Sequence, residues 1–446
     1  MRLIRSSIVV LPFGMLVLAG CTVARDRVDR DLAGYIDTLR AVDAHAHPLA
    51  FTAAGAAADT DFDALPLDGL PPFALPLGLR SENPAFRAAQ RALYGVVRSD
   101  TGSAYRDAVA HARAMVMQRR DEQFPAWALD QSGIDIMLSN RVAMGRGLAP
   151  PRFRWVAFAD ALLLPLDVGV EAARTPDTRA LYPLEAKLLR RYLKDLAIAK
   201  LPATLDRYQQ DVVAGTLARQ RSGGAVAIKF EAAYLRSLDF EPADSAAAVA
   251  IYSRYVNGGT PTHAEYTLLE DWLFRVVARE AGRLGLVVQI HSTDGFGGFY
   301  AASGAAPHLL ESVLGDSTLR GTRFVIVHGG WPLVDETLEL LSRPNAYADI
   351  SMMDLIAEPR ALASTLRTWL AAWPEKVMFG TDAFDGGDTQ GWEQVAWVAS
   401  RNARRALIDA LGGMVRDSEL TIPRARQLAR MVMRENAMAV YRLAAR

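Results

Sequence analysis

Two histidines stand one residue apart in Val42-Asp43-Ala44-His45-Ala46-His47-Pro48. The run before them can form a β-strand, on which positions i and i+2 share a face. His45 and His47 then project into one space, with imidazoles close enough to share a metal ion. Pro48 cannot donate to a ladder and marks where the strand stops. A bare His-x-His also fits two hydrogen-bonded core histidines, so its weight rests on what other strand ends supply. Lys229, His291, His328 and Asp382 each fall at or near the end of a short apolar run, and four of the 7 histidines take such positions. Imidazole and carboxylate suit zinc or a similar divalent first-row ion, and a catalytic site keeps one position open for water.

Eight short apolar runs are available to position these residues. They are the His45 run, 134–138, 153–158, 225–230, 286–291, 323–328, 346–350 and 376–382. Helical periodicity falls between most of them, over 183–196, 205–220 and 262–284, with Thr262 as an N-cap. Near-continuous apolar strands alternating with helices indicate a parallel sheet covered by helices. Eight such units define a (β/α)8 TIM barrel, whose active site lies at the C-terminal strand ends. An open doubly wound sheet is the alternative, but no Gly-rich nucleotide fingerprint follows the first strand. Residues 49–132 form an insertion, irregular where it is rich in Ala, Pro and Gly and helical over 83–97 and 104–119, and it would serve as a lid or pocket wall. The closing helix, 422–443, is expected on the barrel exterior.

The chain has 446 residues, 51% hydrophobic and 22% charged, with a formal net charge of +0. That composition supports a large core and offers no polybasic surface for nucleic acid. Its 1 cysteine excludes an intrachain disulfide. Arg2 and Arg5 precede an apolar run from Ile8 to Leu18, too short and too broken by Pro12 and Gly14 for a good spanning helix. Leu18-Ala19-Gly20-Cys21 resembles the lipobox of bacterial lipoproteins. That likeness implies a signal peptide over 1–20 and lipidation at Cys21. A tether and leading helix would follow over 21–40, with the catalytic barrel over 41–446. Thr22 rather than Asp after the cysteine implies the outer membrane, facing the periplasm, with the lipid as the only membrane contact.

Taken jointly, His45-Ala46-His47-Pro48, Val327-His328-Gly329-Gly330-Trp331-Pro332, Ala346-Tyr347-Ala348-Asp349-Ile350-Ser351, Met378-Phe379-Gly380-Thr381-Asp382-Ala383 and the ending Arg434-Glu435-Asn436-Ala437 resemble the amidohydrolase superfamily. The likeness is to its amidohydrolase-2 branch, which includes decarboxylases and hydratases. The resemblance implies that His45, His47 and Asp382 hold a first metal ion, completed by His291 in single-metal members. It also implies that His328 orients substrate or water there. In two-metal members the strand-four lysine is carbamylated and bridges, and His291 and His328 hold the second ion. Lys229 could bridge in that way or present a positive charge to an anionic substrate.

From these ligands follows a metal-activated water, with Asp382 accepting its proton and His328 donating to the developing oxyanion. Glu231, Tyr234 and Arg236 follow strand four and are expected to line a substrate pocket, although Arg236 also fits an ion-paired surface arginine. Trp331 is a pocket wall or packing residue. His111, His263 and His308 lie outside the strand ends. The expected activity is hydrolysis of an amide, ester or lactone bond of a small molecule. Decarboxylation is the alternative, and a non-catalytic barrel would not need to keep every ligand.

Overall fold

The computed structural model describes residues 30–53, 55–66, 74–80, 82–98, 100–292, 301–387 and 390–444. Cys21 and the expected signal peptide lie outside them. Eight strands follow one another in order, each parallel to the next: β1 Ala41–Ala46, β2 Ile134–Asn140, β3 Phe153–Phe158, β4 Ala227–Phe230, β5 Val287–His291, β6 Phe324–Val327, β7 Ala346–Asp349 and β8 Val377–Met378. This is the expected (β/α)8 barrel.

The last strand is far shorter than the apolar run 376–382 suggests, because the backbone leaves the ladder at Phe379 to cross toward β1. The seam is closed there by Ala44 N–H donating to Phe379 O at 3.0 Å, Asp382 N–H to His45 O at 2.8 Å and His47 N–H to Ala383 O at 2.8 Å. The β1–β2 register shifts between Asp43 and Ala46. A bulge of this kind re-aims side chains near a site, and it brings His45 and His47 over the barrel mouth.

Inside the barrel, Val42, Ile136, Val156, Ala227, Val287, Val325 and Met378 form one apolar cluster together with Ala437, Val440, Tyr441 and Leu443. The chain end from Ala437 to Leu443 therefore plugs the barrel bottom, whereas Ile422–Arg430 packs against the long helix Trp392–Arg416 on the exterior, as its amphipathic pattern suggested. The closing helix runs Ile422–Arg430, passes through a π-turn at Met431–Glu435, and resumes over Asn436–Val440. A second π segment, Tyr208–Ala214, interrupts the expected helix over 205–220. The helix His263–Arg283 starts with a capping box between Thr262 and Glu265.

The insertion carries helices Pro84–Tyr94 and Ser103–Arg120. It is fastened from both sides. Arg113 pairs with Glu393 at 2.7 Å and Asp385 at 3.0 Å beyond β8, and Gln390 donates to Leu79 O at 2.7 Å. On the other side, alternate aspartates reach out in turn: Asp59 to the buried Arg141 at 2.8 Å, Asp61 to Arg191 at 2.6 Å and Asp63 to His47 at 3.1 Å. No helix among the described residues is long and apolar enough to cross a membrane.

Candidate metal centre

Side-chain atoms from β1 and from the turn after β8 converge at the barrel mouth. His45 Nε2 lies 3.3 Å from His47 Nε2 and 3.2 Å from Asp382 Oδ1, and His47 Nε2 lies 3.6 Å from the same oxygen. The proton positions are set by the neighbours. Gln289 Nε2 donates to Ala44 O and to Tyr441 Oη, both at 2.8 Å, which turns its Oε1 toward His45 Nδ1 at 3.1 Å. A carbonyl oxygen only accepts, so His45 carries its proton on Nδ1 and Nε2 is bare. Asn140 Nδ2 also stands 2.9 Å from His45 Nδ1, and an end-for-end turn of that amide puts its oxygen against the N–H. Burial, with Lys229 and His47 adding to it, holds the His45 pKa well below the ordinary imidazole value.

Lone pairs of His45 and a carboxylate oxygen thus face each other with the His47 ring at the same point. A tetrahedral ion with ligands at about 2.1 Å needs donor atoms about 3.4 Å apart, which the observed edges bracket. The residues fit a divalent metal, and the outer contact from Gln289 is of the kind that orients metal-binding imidazoles.

Two buried aspartates hold this geometry. Asp43 Oδ1 accepts from the backbone N–H of His45 and Thr381 at 3.2 and 2.9 Å, and its Oδ2 accepts from Thr381 Oγ1 at 2.5 Å. Asp349 Oδ1 accepts from the N–H of His328 and Ser351, both at 3.1 Å, and from Ser351 Oγ at 2.5 Å. Burial pushes the Asp43 carboxyl up to about 8 and Asp349 up to about 6, against the hydrogen bonds they accept. The anchored residues bear the backbone cost: His328 has φ 61° and Asp382 φ 50°, both left-handed. After His328 no side chain fits, because a Cβ on Gly329 would meet Trp369 Cη2 at 2.6 Å.

His328 differs from expectation in its proton. Its Nδ1 contacts Ser351 Oγ at 3.0 Å and Ser351 O at 3.3 Å, while Ser351 Oγ donates to Asp349. The proton therefore sits on Nδ1, and burial keeps the ring neutral by pulling its pKa well below 6.5, against the opposing charge of Asp382. Nε2 is a proton acceptor in this state and not the oxyanion donor expected. Asp382 Oδ2, the oxygen outside the triangle, lies 3.9 Å from His328 Nδ1. The His291 ring is 5.0 Å from that of His328 and 4.7 Å from Tyr234, and its Nε2 has no hydrogen-bond partner among the described residues.

Lys229 Nζ lies 3.3 Å from His45 Nε2 and 3.9 Å from Glu231 Oε1. Glu231 in turn shares a cluster with His47 and Asp63. The structure thus brings Lys229, Glu231 and Tyr234 to the site. It does not bring Arg236, whose guanidinium pairs with Glu270 at 3.2 Å and Asp271 at 2.7 Å on the helix His263–Arg283 and covers the Phe240 ring. Its expected place in the substrate pocket is therefore corrected. Trp331 is half-buried and packs against the main core beside the His328 turn. His263 and His308 pair with Glu171 and Glu336 away from the site, and His111 is exposed.

Gln289, Asn140, Asp63, Asp160 and Glu185 escaped the sequence reading. Gln289 carried a usable signal, being two residues before His291 on the same strand face. Asp63 and Glu185 reach the site only through the folding of the insertion and of the β3–β4 connection.

Such a barrel, with such a donor set, defines a metal-dependent enzyme. The family model described as Amidohydrolase matches residues 172–443, and the chain belongs to that family. No curated protein matches the sequence. Among solved structures, glucuronate isomerase from Caulobacter crescentus is similar at TM-score 0.63 and 14% identity, covering 95% of each chain. A provisionally named metal-dependent hydrolase from Lactobacillus casei ATCC 334 has TM-score 0.57 and 16% identity, over 92% of this chain and 97% of that one. Uronate isomerase from Thermotoga maritima has TM-score 0.55 and 13% identity, over 93% and 97%. At these identities the likeness concerns the fold, and its coverage takes in much of the insertion.

Replacing Gln289 by Leu removes the acceptor that fixes the His45 tautomer. Metal affinity in a chelator competition is expected to fall about 10–100-fold, the usual effect of losing an outer partner, with the far-UV spectrum unchanged. Arg236→Ala leaves Glu270 and Asp271 buried and unpaired. It is expected to cost about 3–5 kcal/mol in denaturant unfolding while metal content stays at the wild-type level.

Proposed function

We propose that the protein is a single-metal hydrolase, with zinc as its ion, acting on an amide, ester or lactone bond of a small molecule. The observation that carries this is the triangle of His45 Nε2, His47 Nε2 and Asp382 Oδ1, with the second oxygen of Asp382 left free beside His328. When bound, the ion would supply Lewis-acid polarisation of a substrate oxygen and acidify water. The chain's own groups do the rest. Asp382 Oδ2 takes a proton and returns it to the leaving group, and His328, locked through Ser351 and Asp349, offers Nε2 as a second acceptor. Lys229 reaches the site from β4. Its Nζ already stands 3.9 Å from Glu231 Oε1, and this pairing favours one ion per chain over a bridging carbamate.

The same charge distribution favours hydrolysis over decarboxylation. A carboxylate substrate would enter a site lined by Asp63, Glu231 and Asp382. Among the described residues the cation there is Lys229, which already has a carboxylate partner. The lipobox-like Leu18-Ala19-Gly20-Cys21 supports lipid anchorage in the bacterial envelope with the barrel in the periplasm.

Elemental analysis of protein purified without chelators should give about one zinc per chain. Asp382→Asn should abolish turnover in an amide, ester and lactone screen, and product from labelled water should carry the label. Carbon dioxide release without label would instead identify a lyase. Cys21→Ala is expected to move the protein from the membrane pellet to the soluble fraction and to abolish palmitate labelling. Retention in the pellet would refute the anchor.

A further inference from the structure

Beside the metal triangle lies a set of carboxyls without enough donors. Asp63 comes from the insertion, Asp160 from the turn after β3, Glu185 from the helix Tyr182–Asp195 and Glu231 from the end of β4. One oxygen of Asp160, one of Glu231 and both of Glu185 have no hydrogen-bond partner among the described residues, although Glu185 is 0% exposed and Glu231 5%. The donors that do reach the group are few. Glu231 N–H donates to Asp160 Oδ2 at 2.8 Å, Lys229 Nζ stands 3.9 Å from Glu231 Oε1, and His47 Nδ1 lies 3.1 Å from Asp63 Oδ2 without hydrogen-bond geometry. The ligand atoms of His47, Asp63 and Glu231 lie within 4.8 Å of one another. Folded proteins leave few buried polar atoms unsatisfied, and here several gather on one wall of one site.

We propose that this wall receives a protonated amine, so that the substrates are amides, esters or lactones bearing an ammonium group close to the scissile bond. The inference rests on the hydrolase reading and narrows it. A single imidazole separates the two subsites, since His47 turns Nε2 to the triangle and Nδ1 to Asp63. An ammonium is a compact donor of three hydrogen bonds, and Asp63 offers an acceptor at the solvent-reaching edge, with Glu231 and Glu185 behind it. A divalent ion in that place would face the Lys229 charge with twice the repulsion and would compete with the triangle for His47. A carboxylate is disfavoured by the acidic wall itself and by the pairing of three arginines with other acids. Arg141, Arg191 and Arg236 are committed to Asp59, Asp61 and the Glu270–Asp271 pair, so none of them offers a fork for an acid.

The test is calorimetric titration of the metal-loaded full chain with n-butylammonium, n-butanol and butyrate. Saturable binding of n-butylammonium alone is expected. Glu231→Gln and Asp63→Asn should each weaken it at least about tenfold, the loss of one charge-assisted hydrogen bond. Metal content and melting temperature serve as controls on folding, and the partly exposed Asp63 is the safer substitution. Binding of butyrate in preference, or n-butylammonium affinity unchanged in both variants, would overturn the proposal. So would a second metal ion per chain that Glu231→Gln removes and Asp382→Asn leaves. Amine binding needs no turnover, so loss of the hydrolase reading would show separately, as a silent substrate screen.

Discussion

Closure of the β8–β1 seam is the constraint on which the site depends. β8 contributes only 2 residues to the ladder, too few to fix the position of the Thr381–Asp382 turn beyond it. The buried carboxylate of Asp43 takes over that task by accepting three hydrogen bonds across the seam and along β1. Those bonds hold Thr381 against β1, and Asp382 next to it is thereby set over His45. The arrangement puts an ionisable group where water cannot reach it, so the carboxyl depends on all three donors being present. Asp349 repeats the device at β7, gripping His328 and Ser351. Two metal-site residues in left-handed conformations are each flanked by a buried aspartate that makes the unfavourable backbone tolerable.

Below the site the barrel is polar for one layer and apolar beneath. Gln289 links the two, because its amide reads the His45 ring on one side and the Tyr441 hydroxyl on the other. Tyr441 belongs to the segment that plugs the barrel bottom. The tautomer of a metal-site imidazole is therefore tied, through one amide, to the seating of the chain terminus. Packing at one end of the barrel and proton placement at the other are parts of a single hydrogen-bonded column.

The architecture was legible because strand and helix periods differ, and eight apolar runs with polar ends leave few other folds. His45, His47, His291, His328 and Asp382 could be picked out for the same reason: a strand end is local information. Arg236 was misplaced by the same logic, since nearness in sequence to Lys229 says nothing about Glu270 and Asp271, which lie 34 and 35 residues further along the chain. The end of the terminal helix, from Ala437, misled because an amphipathic pattern shows that one face is buried and not against which partner. Asp63 and Glu185 were invisible, each separated from the His47 strand by segments whose course only the fold determines. The proton on His328 was equally beyond reach, resting on Ser351 turning its hydroxyl toward Asp349.

The insertion bears on selectivity more as a wall than as a lid. A lid needs weak fastening that can open and close, whereas this segment is held by Arg113 with Glu393 and Asp385 on one side and by Asp59, Asp61 and Asp63 on the other. Two of those aspartates spend their charge on arginines and act as fasteners. The third in the same alternating run points at His47, with no arginine against it among the described residues. The run is bent at Phe62 and Ala64, and because Asp59 and Asp61 are fixed by arginines just before it, their anchoring also limits where Asp63 falls. The place of Asp63 in the acidic face of the site is in this sense a by-product of how the insertion is attached. Chains with a different insertion on the same barrel would keep the metal triangle with Asp160, Glu185 and Glu231 and lose only the Asp63 carboxyl beside it.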